Sequence, residues 1–230
     1  MQIENLSNPE EVAVRAAEII AADARASVAA RGRFVVAFSG GRTPAAMLRA
    51  LAEREMPWSQ TFVFQVDERV VPDGDPQRNL ALLRENLIDR VPLPKQQVYA
   101  MPVESPDLES ASRLYMRSLS QVAGTPATLD CVHLGLGKDG HTASLVPADS
   151  ALDVTEVDVA PARVYEGTRR LTLTFPILNR ARRVLWVVVG RDKVDALSRL
   201  RAGDSAIPAG RVHQDRAIIL TDLPITPFVS

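Results

Sequence analysis

Apolar residues along the chain fall into short blocks, separated by stretches whose apolar positions recur at helical spacing. From about Pro9 to Arg31 an alanine-dense segment reads as a helix, with Asn8 as its cap and Gly32 as its stop. "RFVVAF" (33–38) is a continuous apolar run, as expected for a strand covered on both faces. Helical character returns over 45–55, "TFVFQV" (61–66) predicts a strand, and "NLALLRENLI" (79–88) a helix. "QVYAM" (97–101) is a short strand, and "DLESASRLYMRSLSQVA" (107–123) a longer amphipathic helix. "LDCVHLGLG" (129–137) is another apolar strand; "RLTLTF" (170–175) alternates, and "PILNRA" begins with Pro176 at a helix's first turn. "RVLWVVVG" (183–190) is the most apolar strand, followed by helical "RDKVDALSRLR" (191–201) and a last strand, "AIIL" (217–220).

Strands alternating with helices predict an α/β fold with a mostly parallel sheet and helices on both faces. Prolines are scattered, no low-complexity linker divides the chain and no repeat has a fixed period, so 1–230 is expected to be one domain. Hydrophobic residues make up 46% and charged residues 24%, ordinary for a globular protein. With 27 basic against 28 acidic residues and a formal net charge of -1, no overall field favours nucleic acid or an anionic membrane. A bound anion must therefore be held by a local site. The first 20 residues lack a basic stretch followed by an apolar core, and no segment approaches the roughly 20 apolar residues of a membrane span. The lone Cys131 reads as a buried strand thiol, and the expected location is cytoplasmic.

Open sheets of this kind bind ligands beyond the carboxyl ends of their strands, and three such ends carry polar residues. After the first long strand comes "SGGRTP" (39–44): Gly40 and Gly41 allow close backbone approach, Thr43 can cap the next helix, and Pro44 suits its first turn. The free N–H groups of such a turn favour a phosphate, but the spacing is neither G-x-x-x-x-G-K-[ST] nor G-x-G-x-x-G. A plain glycine turn and an anion cradle both remain open here. Asp67, Glu68 and Arg69 follow the next strand, where they are either a solvated ion pair or a carboxylate–guanidinium pair that orients a hydroxyl and stabilises an oxyanion. In "HLGLGKDGHTASLVP" (133–147) Asp139 and His141 stand two residues apart in a glycine-rich loop. Histidine titrates nearest neutral pH and is the natural general base, with the carboxylate fixing its tautomer; the plainer alternative is a surface histidine. His133 reads as a strand residue and His213 as part of a late connection, and the three histidines do not form a zinc motif. Arg169 and Arg170 before "LTLTF", and Lys193 after Gly190, are either solvated cations or parts of a phosphate site.

Together the blocks "FSGGRTP", "VDERVVP" with "NLALLRENL", "GLGKDGHTASLVP", "RRLTLTFPILNRAR" and "VVVGRDK" resemble the 6-phosphogluconolactonase family, whose superfamily includes glucosamine-6-phosphate deaminases. They occur in that family's order and span about 34 to 193. The resemblance implies a modified doubly wound, Rossmann-like fold and a hydrolase of 6-phospho-D-glucono-1,5-lactone in the oxidative pentose phosphate pathway. It implies no cofactor and no metal, and leaves the chain a monomer or small homo-oligomer. By motif position, His141 is the general base, with Asp139, Asp67 and Arg69 at the reacting end. Ser39, Gly40, Gly41, Arg42, Thr43, Asn79, Lys138, Arg170 and Lys193 are the corresponding substrate-binding residues. Two positions depart from the family pattern: Arg78 precedes Asn79 where serine is usual, and Arg42 stands where a small polar residue is common. Either adds positive charge near a sugar phosphate or points to solvent. Where the deaminase pattern has Phe-Asn-Glu-Pro after its histidine, this chain reads "TASLVP", without the glutamate an isomerase uses for proton shuttling. A non-catalytic sugar-phosphate sensor on the same fold is the third reading; no DNA-binding segment is expected before residue 34.

Overall fold

The computed structural model describes residues 1–225, with the side chain of Arg42 outside that description. The apolar blocks become strands β1 (Gln2–Asn5), β2 (Phe34–Phe38), β3 (Thr61–Gln65), β5 (Val98–Tyr99), β6 (Cys131–Leu134), β9 (Val184–Val188) and β10 (Ala217–Thr221). These form a seven-stranded sheet in the order β1-β10-β9-β6-β2-β3-β5, with every neighbouring pair parallel. Strands β4 (Asp67–Arg69), β7 (Val159–Tyr165) and β8 (Thr168–Leu173) make a separate antiparallel sheet in the order β4-β8-β7.

The main sheet is covered twice, which is why its strands read as unbroken apolar runs. Phe34, Val36, Phe38, Cys131 and Leu185 pack on one face with α1 (Pro9–Arg31), α2 (Arg42–Ala52) and α3 (Asn79–Asn86). Val35, Ala37, Val132, Leu134 and Trp186 pack on the other with α4 (Leu108–Ala123), α5 (Phe175–Arg180) and α6 (Val194–Arg201). Helix α1 has the predicted ends: Asn8 accepts a bond from Glu11 N at 2.8 Å, and Gly32 donates to the Val28 carbonyl at 2.8 Å. The chain builds outward from β2 to β3 and β5, then returns to place β6 on the other side of β2 and continues through β9 to β10. This reversal opens a crevice at the carboxyl ends of β2 and β6, where doubly wound sheets bind ligands.

Several elements differ from the sequence reading. Strand β1 was not foreseen because it is four half-polar residues that pair only with β10, at the far end of the chain. Strand β7 is interrupted by Pro161, and β4 consists of the charged triplet itself. Helix α2 begins at Arg42, ahead of the expected 45, because Gly41 at φ 111° caps it while Thr43 makes no capping bond. Arg170 lies inside β8, and the first turn after Gly190 is a 3-10 turn before α6 starts at Val194. Among the described residues no helix is long and apolar enough to cross a membrane.

Candidate active site

A cleft of about 210 Å³ lies over the β2–β6 crevice, lined by the ends of β2, β4, β6, β8 and β9. On its β2 side Ser39 donates through both backbone N–H and Oγ to the His133 carbonyl, at 3.3 and 3.1 Å, which ties the loop to β6. Gly40 is required by packing: a Cβ there would overlap the Asn79 side chain. Side chains cap the N-termini of α1 and α4, whereas α2 opens beside the cleft without one, leaving its first N–H groups for another acceptor. Gly41, Thr43 and Pro44 line the cleft with Ser39 and Gly40. The Arg42 backbone opens α2, and its predicted side-chain role lies outside the described residues.

The triplet at 67–69 divides its labour by strand alternation. Asp67 and Arg69 line the cleft, while Glu68 turns inward and is fully buried. Ser144 Oγ donates to Asp67 Oδ2 at 2.7 Å, and Asn79 Nδ2 donates to the Asp67 carbonyl at 2.9 Å. Arg69 Nη1 donates to the Gln77 carbonyl at 2.7 Å and to Asn79 Oδ1 at 3.2 Å. The Glu68 carboxylate accepts the N–H groups of Arg69, Asn79 and Leu80, each at 2.8 Å, and so anchors the start of α3. Arg78 is its counter-charge: Nε lies 3.4 Å from Glu68 Oε2, and Nη1 donates to Glu104 Oε1 at 2.7 Å. Both readings of Arg78 are therefore corrected, because it is buried under the 70–78 loop and faces neither sugar nor solvent.

Beyond β6, Gly137 accepts a bond from Gly140 N at 3.0 Å and donates to the His141 carbonyl at 2.8 Å, closing a tight turn. A Cβ on Gly137 would overlap the His141 ring, so only glycine lets the imidazole sit here. His141 Nδ1 is 2.6 Å from Asp139 Oδ1. A carboxylate is acceptor-only, so in the neutral imidazole this contact assigns the proton to Nδ1 and leaves Nε2 with a lone pair. Burial pushes the Asp139 carboxyl up, but the charge and hydrogen bonds of His141 outweigh it, and the group stays below its usual range. His141 lines the cleft and Asp139 stands behind it. The turn carries Lys138 to its apex, where the side chain is exposed and outside the cleft lining.

Arg170, 4% exposed, and Lys193 complete the lining. Strand pairing sets Arg170 directly opposite Arg69, so two guanidinium groups share one face of the small sheet. Arg170 Nη2 donates to the Tyr165 carbonyl and Glu166 Oε2 at 3.3 and 3.4 Å, while its buried Nε has no hydrogen-bond partner among the described residues. Arg169 points to solvent outside the cleft. The lining thus presents Arg69, Arg170 and Lys193 against the single carboxylate of Asp67, a local excess of positive charge in a chain of balanced charge. Sequence reasoning missed Ser144, which holds Asp67, and Tyr165, whose ring stands beside His141. Ser144 lies within a motif that was singled out; Tyr165 lies in none. Among the described residues no group of three or more His, Cys, Asp or Glu side chains is arranged around a metal position.

Comparison with known proteins places this geometry. The family model described as "Glucosamine-6-phosphate isomerases/6-phosphogluconolactonase" matches residues 7–220. A 6-phosphogluconolactonase of Synechocystis is 36% identical over 208 residues, covering 89% of this chain and 86% of the relative. One from Mycobacterium tuberculosis is 35% identical over 214 residues, covering 86% and 85%. The crystal structure of 6-phosphogluconolactonase from Thermotoga maritima superposes with a TM-score of 0.85 at 27% identity, over 96% of this chain and 98% of that one. The chain, with its doubly wound sheet and its cleft at the β2–β6 reversal, belongs to the glucosamine-6-phosphate isomerase/6-phosphogluconolactonase family.

Proposed function

We propose that the protein hydrolyses 6-phospho-D-glucono-1,5-lactone to 6-phosphogluconate, with His141 as general base. The observation that carries this reading is the 2.6 Å Asp139–His141 contact at the edge of a cationic cleft. A lactone is an activated ester, so a positioned water, one base and an oxyanion stabiliser suffice. Nε2 of His141 takes a proton from water as its oxygen bonds to C1. The carbonyl electrons move onto oxygen, where Arg69 faces the developing charge. The C1–O bond to the ring then breaks, and the imidazolium returns its proton to the departing ring oxygen. Asp139 stabilises the imidazolium between these steps.

The phosphate end is the uncapped start of α2 with Lys193 and Arg170. Holding the remote phosphate there orients C1 toward His141, so binding free energy is converted into alignment. The absence of the deaminase glutamate after His141 favours hydrolysis over isomerisation. We place the activity in the cytoplasm, in one domain acting on a small molecule, as a monomer or small homo-oligomer.

The test is turnover of the phosphorylated lactone, coupled to 6-phosphogluconate dehydrogenase and corrected for spontaneous ring opening, with and without a chelator. Activity is expected to survive chelation, and His141→Gln to lose about 10²-fold or more in kcat. Near-normal turnover in that variant sinks the assignment. Ammonia release from glucosamine 6-phosphate, with no lactone hydrolysis, replaces the proposed reaction by deamination.

A further inference from the structure

Tyr165 ends β7, at a hairpin turn formed by Glu166 (φ 50°) and Gly167 (φ 81°). Its ring meets the His141 ring edge-on, with centroids 5.4 Å apart and planes at 63°. Its hydroxyl donates to Asp139 Oδ2 at 3.3 Å, the carboxylate oxygen that His141 Nδ1 does not use. The Arg170 guanidinium carbon lies over the Tyr165 ring, 5.1 Å from its centroid, and Arg170 Nη2 donates to the Tyr165 carbonyl at 3.3 Å. One residue thus touches the imidazole, the carboxylate that orients it, and a buried cation of the cleft.

We propose that Tyr165 is a positioning residue for the hydrolysis, setting the orientation and proton affinity of His141 through Asp139 while its ring seats Arg170 for the substrate's anionic group. The proposal rests on the reading of His141 as the base. Burial, and then the charge of Asp139, push the Tyr165 phenol above its ordinary value, so it is a donor throughout the working range. A bond donated to Oδ2 draws negative charge away from Oδ1 and tempers the hold of Asp139 on the imidazolium. The ring acts separately, as an edge-on wall for His141 and a cation–π face for Arg170. The other charged groups around this cluster are Glu166 on the turn, Arg170 on β8, Asp67 and Arg69 on β4, Lys138 on the loop and Lys193 beyond β9. All are retained in Tyr165→Phe, which removes only the hydroxyl.

The experiment compares the intact wild-type protein with Tyr165→Phe and Tyr165→Ala. His141 is titrated by NMR, its resonance identified by its loss in His141→Gln, and kcat/KM is followed against pH. In Tyr165→Phe, charge returns to Oδ1 and the His141 midpoint rises by roughly 0.3 to 1 pH unit. The acid limb of kcat/KM moves up by the same interval, and KM at neutral pH stays near the wild-type value. In Tyr165→Ala, KM for the phosphorylated lactone rises about 10-fold, because Arg170 loses its aromatic seat. KM for unphosphorylated gluconolactone changes little. An unmoved His141 midpoint in Tyr165→Phe overturns the proposal and leaves the base assignment intact. A midpoint that moves while the rate profile does not overturns both, because His141 is then not the group whose protonation governs the reaction.

Discussion

Arg170 is a buried cation of the cleft lining. Its Nε has no hydrogen-bond partner among the described residues, and it faces Arg69 across the β4–β8 pair. Like charges directly opposite on a sheet repel, and an anion between or beside them reverses the sign of that interaction. Lys193 is the more accessible of the two proposed phosphate ligands, and its Nζ is held 3.3 Å from Asp192 Oδ2. Lys193→Ala should raise KM for the phosphorylated lactone by about 10- to 100-fold, the range for hydrogen bonds to charged groups, with a smaller effect on kcat. Hydrolysis of unphosphorylated gluconolactone is the control; an equal loss there would remove the phosphate role. At this scale the sequence named most of the lining, because His141, Asp67, Arg69 and the glycines sit in contiguous motifs. It misjudged Arg78, because the direction of that side chain depends on a partner, Glu104, 26 residues further on.

Among the elements, α2 and α3 use their N-termini in opposite ways. Helix α2 lacks a side-chain cap and opens beside the cleft, whereas both oxygens of Glu68 close α3 through the N–H groups of Asn79 and Leu80. That carboxylate is fully buried with Arg78, which is 2% exposed. Breaking one side of a buried pair leaves the other charge uncompensated. Glu68→Gln is therefore expected to lower stability by about 3 kcal/mol in denaturant titrations. It should also raise KM, since Asn79 and the Arg69 backbone lose their anchor. A variant within about 0.5 kcal/mol of the wild type, the spread of ordinary surface substitutions, would show that the network does not hold α3. The helices and the strands of the main sheet, β1 apart, were legible from period and caps. In the small sheet only β8 was, as the alternating "RLTLTF"; β4 is charged and β7 carries Pro161, and both exist because β8 lies between them.

For the molecule as a whole, the sheet centre carries an acid liability. His133 on β6 is fully buried, its ring centroid 6.4 Å from that of Phe38, with neither ring nitrogen hydrogen-bonded among the described residues. Burial pushes its pKa from 6.5 down to about 3. The folded state therefore keeps His133 neutral while the unfolded state takes up a proton below about pH 6.5. Stability is lost as pH falls through the window from about 6.5 to 3, by about 1 kcal/mol per pH unit. Unfolding free energies at pH 7 and pH 4.5 should differ by about 2 kcal/mol less in His133→Leu than in the wild type. Identical acid sensitivity in the two proteins would assign the loss to other groups.

The sequence by itself determined the class of fold and the chemistry available to it. Apolar runs and amphipathic periods are local consequences of being covered on two faces or one, and glycine, proline and capping residues mark where the chain must turn. It also supplied "SGGRTP", "VDER" and "DGH" as polar strand ends, each open to a structural or a functional reading. The tertiary structure decided which of these ends meet. Pairing β6 beside β2, about 95 residues apart along the chain, brings the glycine turn and His141 to one crevice. The β4–β8 pairing sets Arg69 against Arg170, and the β7–β8 hairpin delivers Tyr165 to His141. Strand order and cross-strand register are properties of contacts distant in sequence, and no local period encodes them.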